Sequence, residues 1–247
     1  MPSTEPKYQS VLADRGKEEA VQQMFTSIAR FYDFNNTVLS LGLHYYWKRI
    51  AVDLAALKPG DRVIDVGAGT FDLSIRALPR VQATGRVVAM DLNEKMLKIG
   101  QAKAERRGIK DSIRTVVGNA EFIPFPDNHF DAALSGFCLR NVDDLARTAA
   151  EILRVLKPGG RFVCLEFSRP TRRVFRRLYD FYSFVLLPGI GTLVSRDRTG
   201  VYRYLPDSIR KFPAQDTFRD LLLRAGFKTV RYQNLSGGIV AIHVGVK

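Results

Sequence analysis

Arg62-Val-Ile-Asp-Val-Gly-Ala-Gly-Thr-Phe-Asp72 is the stretch that decides how this chain folds. Val63, Ile64 and Val66 make a short apolar run of the kind that fills a buried parallel strand, and Gly67 and Gly69 follow at once, before a helical segment opens. The reading is strand, tight turn, helix. Glycines in such a turn allow positive φ and let the backbone approach a ligand lying across the strand's carboxyl end. Arg86-Val-Val-Ala-Met-Asp91 reads as a second strand ending in a carboxylate, at about the downstream distance from which such a residue reaches both hydroxyls of a ribose. Asp91 is therefore a candidate nucleoside ligand; the bland alternative is an ordinary strand end with a solvated acid.

A nicotinamide-type Gly-x-Gly-x-x-Gly needs glycine at position 72, and the chain has Asp72. Gly67-Ala-Gly-Thr70 instead resembles the first motif of class I S-adenosylmethionine-dependent methyltransferases. Further strand and helix signals alternate downstream. Glu94 to Arg107 has a helical pattern closed by Gly108, and Ile113 to Val117 reads as a third strand before Gly118-Asn119-Ala120-Glu121. Phe130 to Ser135 reads as a fourth strand, Asp143 to Leu156 as a helix stopped by Lys157-Pro158-Gly159-Gly160, and Arg161 to Phe167 as a fifth strand. Ala214 to Arg224 is a helix, followed by strands over Phe227 to Tyr232 and Ile239 to Val246. This order specifies an α/β fold with a doubly wound, mostly parallel, seven-stranded sheet.

Two additions frame the sheet. Residues 1–15 are polar and read as a loose tail, and 16–247 as a single domain. From Lys17 apolar residues recur at helical spacing (Val21, Met24, Phe25, Ile28, Phe31) and are expected in the core; Tyr32-Asp33-Phe34-Asn35-Asn36 is expected to end that helix. A second helix is expected over Leu43 to Leu57, and the resemblance to class I methyltransferases, which carry a lid ahead of this turn, implies that 17–57 is a helical lid. After strand five, 169–211 is a basic, aromatic insertion. Arg169, Arg172, Arg173, Arg176 and Arg177 alternate there with Phe175, Tyr179, Phe181, Tyr182 and Phe184, which suits a lipid interface or, equally, a core helix with a solvated arginine face.

With 247 residues and 46% hydrophobic content the chain has ample material for a core. Cys138 and Cys164 are lone thiols without metal-ligand spacing, so neither a disulfide nor a metal is expected. Neither a secretory signal nor a membrane-spanning run is apparent, so the chain is expected to stay in the cytoplasm. The net charge of +13 favours anionic partners, meaning nucleic acid or an acidic membrane surface.

Longer motifs narrow this. Tyr32-Asp33 with Asn35-Asn36, Leu39-Ser40-Leu41-Gly42-Leu43-His44 with Trp47-Lys48, Leu139-Arg140-Asn141-Val142, Leu165-Glu166-Phe167-Ser168, and Asn234-Leu235 with Gly237-Gly238-Ile239-Val240-Ala241 together resemble the UbiE-type quinone C-methyltransferases, from about Phe25 to Lys247. The resemblance implies methylation of a ring carbon of demethylmenaquinol or of a polyprenyl methoxybenzoquinol. S-adenosylmethionine would be the methyl donor. By position it implies cofactor contact by Thr70, Asp91, Asn119 and Ala120 around a turn shaped by Gly67 and Gly69, and a reacting ring near Arg140, Asn141 and Tyr32. Read alone, Asn119 is equally an ordinary turn residue. The implied partners are a polyprenyl quinol, an anionic membrane inner face, and a homodimer or quinone-biosynthesis assembly, with no nucleic acid. Two departures stand out: Phe71 replaces the family's usual glycine, where a ring beside the methionine portion of the cofactor would crowd it, and Gly136 lacks a serine hydroxyl. Two rivals remain. The charge suits a nucleic-acid methyltransferase, although Ser135-Gly136-Phe137-Cys138 stands where an Asn/Asp-Pro-Pro-Tyr segment would be; and Phe71 keeps open a non-catalytic, cofactor-binding scaffold.

Overall fold

The computed structural model describes residues 16–171 and 201–247. The expected tail and most of the basic insertion, including Arg172, Arg173, Arg176 and Arg177, lie outside the described residues. In chain order the elements are α1 (Lys17–Ile28), α2 (Tyr32–Leu39), α3 (Leu43–Leu54), β1 (Arg62–Val66), α4 (Asp72–Val81), β2 (Arg86–Asp91), α5 (Glu94–Arg106), β3 (Ile113–Val117), β4 (Phe130–Gly136), α6 (Leu145–Val155), β5 (Leu156–Phe167), α7 (Val201–Lys211), α8 (Gln215–Ala225), β6 (Thr229–Leu235) and β7 (Val240–Val246).

The strands form one seven-stranded sheet in the order β3-β2-β1-β4-β5-β7-β6. Pairings from β3 through β5 are parallel, and β7 runs antiparallel to both β5 and β6. Because β1 sits between β2 and β4, successive crossovers leave it in opposite directions, and a crevice opens above the carboxyl ends of β1 and β4. Strand residues alternate between two apolar layers, as a sheet covered on both faces requires. Val63, Leu134, Val163 and Val244 pack with Trp47 and Ala51 of α3 and Leu73 and Ala77 of α4, whereas Ile64, Val66, Ala133 and Phe162 pack with Ile152 of α6 and Phe218 and Leu222 of α8.

Local chemistry sets the helix ends. Asn93 caps α5 by accepting from the Met96 N–H at 3.1 Å, Asp144 caps α6 by accepting from Arg147 N–H at 2.9 Å, and Gly226, at φ +111°, ends α8. Three expectations need correction. Tyr32 to Asn36 does not end the first helix: the chain passes through a short 3-10 turn, Ala29–Phe31, into α2, which turns Phe31 outward at 43% exposure. The helix expected to reach Leu57 stops at Leu54, since Ala56 takes φ +50°. Strand five begins at Leu156 because Lys157 to Gly160 form an irregularity in the ladder, with Gly159 and Gly160 bonded to Lys247 at the C-terminus.

Candidate active site

The crevice above β1 and β4 holds a cavity lined by the ends of four strands and roofed by α1 and Tyr32. Gly67, Gly69, Asp91, Asn119, Ala120, Asn141 and Tyr32 all line it, so the structure brings most of the sequence-predicted residues to one place. Gly67 is required there: at φ +71°, any Cβ would lie 2.1 Å from Cys138 Sγ, so the loop after β4 closes directly onto the glycine turn.

Asp91 shapes that turn as well as facing the cavity. Its Oδ2 accepts from the Gly69 N–H at 2.8 Å and its Oδ1 from the Asn93 N–H at 2.7 Å, which leaves each oxygen with acceptor capacity toward the cavity. Burial raises its pKa, against the pull of those backbone donors. Asn119 turns its own Oδ1 to the Glu121 N–H at 2.8 Å. Asp91, Met96, Asn119 and Ala120 therefore line one wall of the cavity, where a carboxylate and open backbone could hold a nucleoside.

Two predicted residues stand outside the cavity wall. Thr70 is buried and donates to Asp33 Oδ1 at 2.6 Å, within an ion cluster described below. Arg140, from the 3-10 turn Leu139–Asn141 after β4, has a side chain 5% exposed. Its Nη1 donates to Glu166 Oε1 at 2.8 Å and to the Phe137 carbonyl, and its guanidinium lies 5.4 Å from the Phe167 ring centre. Its Nε has no hydrogen-bond partner among the described residues. Although burial acts to lower its pKa, Glu166 outweighs this and holds the group cationic.

Sequence reasoning missed two neighbours of this arginine. Glu166, 2% exposed, is its counter-ion, and the hydroxyl of Tyr204 on α7 donates to Asn141 Oδ1 at 3.2 Å. Glu166 lay in a quoted motif, but only tertiary structure carries β5 and α7 to Arg140. Burial pushes the hydroxyls of Tyr32 and Tyr204 up to about 12 each, so both are donors at neutral pH rather than bases. His44 sits apart, its Nε2 at 3.1 Å from Thr37 Oγ1, its pKa lowered to about 4 by burial and Lys48. Phe71 also departs from expectation. Its ring does not crowd the cavity: it is 1% exposed and packs with Leu97 and Ala104 over Gly100, where any Cβ would stand 2.5 Å from the ring.

A comparison with known families decides the identity. The ubiE/COQ5 methyltransferase family model matches residues 13–247. The chain belongs to that family. Two relatives, each named ubiquinone/menaquinone biosynthesis C-methyltransferase UbiE, bear this out. The one from Shewanella baltica (strain OS155) is 44% identical over 245 residues, 99% of this chain and 97% of its own length. The one from Pseudomonas putida (strain GB-1) is 44% identical over 246 residues, covering 100% and 95%. Among solved structures, a SAM dependent methyltransferase from Aquifex aeolicus superposes with TM-score 0.59 at 18% identity over 81% of this chain and 88% of its own. That likeness shows the shared fold. This member of the ubiE/COQ5 family is thus a methyltransferase whose donor is S-adenosylmethionine.

Proposed function

We propose that this methyltransferase transfers a methyl group to a ring carbon of a polyprenyl quinol, converting demethylmenaquinol to menaquinol, or 2-polyprenyl-6-methoxy-1,4-benzoquinol to its 5-methyl product. The observation that carries the reading is Arg140: a buried guanidinium with one nitrogen satisfied by Glu166 and Phe137 and its Nε left without an acceptor. A buried donor without a partner in a native site points to a ligand atom. A quinol oxygen entering beside Tyr32 and Tyr204 supplies that acceptor.

When bound, S-adenosylmethionine offers an electrophilic methyl on a sulfonium. The chain's residues do the rest. Asp91, Asn119 and Ala120 are the proposed cofactor contacts, and Thr70, outside the cavity wall, braces the turn through Asp33. Tyr32 and Asn141 orient the quinol so that its carbon faces the methyl in line, and alignment of this kind is worth about 7–11 kcal/mol of barrier. As the hydroxyl beside that carbon loses its proton, negative charge grows on the oxygen, and Arg140 stabilises it more than it stabilises the neutral quinol. A guanidinium of raised pKa cannot accept the proton, so a water held by Arg140 and Asn141 takes it to solvent. Loss of the ring proton then restores aromaticity.

Because the isoprenoid tail of such a substrate resides in lipid, the proposal also puts the enzyme peripherally at the inner face of an anionic membrane. No helix among the described residues is long and apolar enough to cross a membrane. Incubation with methyl-labelled S-adenosylmethionine and short-chain quinols tests the reading. Label should pass into an extractable quinone, and transfer to RNA but to neither quinol would overturn it.

A further inference from the structure

Large hydrophobic side chains are seldom exposed in clusters on a soluble domain. Nine are exposed among the described residues, and six of them fall between Phe31 and Tyr46 in the lid. Phe34 on α2 and Leu41 in the turn just after it are 57% and 88% exposed. Tyr45 and Tyr46 extend the surface onto α3, and the hydroxyls of Thr37 and Tyr45, 3.3 Å apart, hold the two helices together there.

The turn that presents Leu41 is rigid and strained. Leu41 takes φ +50° and Gly42 φ +76°, fixed by bonds from Gly42 N–H to the Thr37 carbonyl at 2.8 Å and from Ser40 Oγ to the Asn36 carbonyl at 2.6 Å. A leucine kept left-handed at a turn tip and 88% exposed is held for an outside contact.

Charge identifies the contact. The guanidinium of Arg49 lies 5.6 Å from the Tyr46 ring centre and that of Arg76 5.8 Å from Tyr45, Arg30 is exposed beside Phe31, and no acid occurs from Phe34 to Val52. Arginines stacked on interfacial tyrosines around an exposed leucine and phenylalanine match the headgroup and acyl layers of an anionic bilayer. A protein partner needs no such belt, and a nucleic acid would not reward Leu41. We propose that the lid surface from Phe31 to Tyr46 docks on anionic membrane, inserting Phe34 and Leu41 below the headgroups. Tyr32, between Phe31 and Phe34, lines the cavity, so docking sets the crevice mouth against the lipid that holds the substrate tail. The inference rests on the peripheral-membrane reading above and gives it a location distinct from the segment Arg169 to Leu187.

Co-sedimentation with phosphatidylglycerol/phosphatidylcholine vesicles separates these. Wild type should bind them and spare pure phosphatidylcholine. Phe34→Ser with Leu41→Ser, and separately Arg30→Gln with Arg49→Gln, should each weaken binding about tenfold or more. Both variants should keep the wild-type melting temperature and wild-type turnover of a tail-less quinol, while losing turnover of a long-chain quinol supplied in vesicles. If wild type sediments and both variants sediment equally, the lid surface is overturned and docking belongs to Arg172, Arg173, Arg176 and Arg177. If wild type itself fails to sediment, the membrane reading falls together with this inference.

Discussion

At the residue scale, two carboxylates of the glycine-turn region illustrate opposite uses of burial. Asp91 has backbone donors on both oxygens and still faces the cavity, so the proposed ribose contact would add charge-assisted bonds worth about 1.5–3 kcal/mol each. Asp91→Ala should weaken S-adenosylmethionine binding at least about tenfold in calorimetry; an unchanged dissociation constant with the fold intact would remove Asp91 from the site. Asp65 is buried on β1, with Oδ2 accepting from the Ser74 N–H and Oγ–H and Oδ1 without a partner among the described residues. Burial pushes its pKa from 3.8 to about 7. A carboxyl whose folded pKa exceeds its unfolded value binds a proton more tightly when folded, so its contribution to stability is full below 3.8 and is lost as pH rises through about 7. His44 and His243, both lowered to about 4 from 6.5, act in the opposite direction between those values. Comparing wild type with Asp65→Asn therefore isolates the carboxyl: the variant should gain melting temperature relative to wild type as pH rises from 4 to 8, and parallel curves would show that Asp65 stays ionised. Asp91 and the glycines were legible because strand ends and turns are local. Glu166, although quoted in a motif, carried no local sign that it would become the counter-ion of Arg140, because that pairing depends on β4 and β5 lying side by side.

At the scale of elements, the lid is joined to the glycine turn by a cluster of ion pairs. Lys103 on α5 meets Asp33 Oδ2 of α2 at 2.7 Å and Asp72 Oδ1 of α4 at 2.8 Å, Lys48 of α3 meets Asp72 Oδ2 at 2.6 Å, and Thr70 closes the cluster on Asp33. Burial works to raise Asp72, but Lys48 and Lys103 outweigh it and hold the carboxyl well below the usual range. This cluster explains why α2 was illegible. Asp33, Asn35 and Asn36 have poor intrinsic helix propensity, yet Asp33 is held by Lys103 and Thr70 and Asn35 is 3% exposed, so tertiary contacts override the local preference. Removing one partner of a buried pair costs about 3–5 kcal/mol. Lys103→Met should fall near the low end, since Asp72 keeps Lys48 and the Asp33 side chain is 37% exposed. Amide exchange over Tyr32–Leu39 should quicken in that variant more than exchange in β1 or β4. Uniform acceleration across the sheet would instead mean that the cluster supports the whole fold and not the lid. The Phe71 expectation failed for a related reason: a left-handed turn residue can aim its side chain into the layer between α4 and α5, and Gly100 provides the space.

Across the whole molecule, a charge of +13 left nucleic acid and membrane equally open. Family membership and the unpartnered nitrogen of Arg140 are what direct the reading toward a small, electron-rich acceptor. The sheet was legible nearly throughout, because buried parallel strands are short apolar runs bounded by glycine, proline and acids: Ile113–Val117 matches the expected strand residue for residue, and β1 and β2 match closely. The arrangement around Arg140 was not, because it joins β4, β5, α2 and α7. Methyl transfer to carbon with Arg140 stabilising the developing oxyanion is the claim that unites these scales. It is tested most directly by single-turnover reaction of 13C-methyl S-adenosylmethionine with a short-chain demethylmenaquinol, followed by NMR of the product, for wild type and Arg140→Ala. The predicted result is a methyl on a ring carbon in both, formed roughly a hundredfold to a thousandfold more slowly by the variant, with S-adenosylmethionine affinity within about threefold of wild type. An O-methylated product, an Arg140→Ala rate equal to wild type, or a defect wholly due to lost cofactor binding would contradict it.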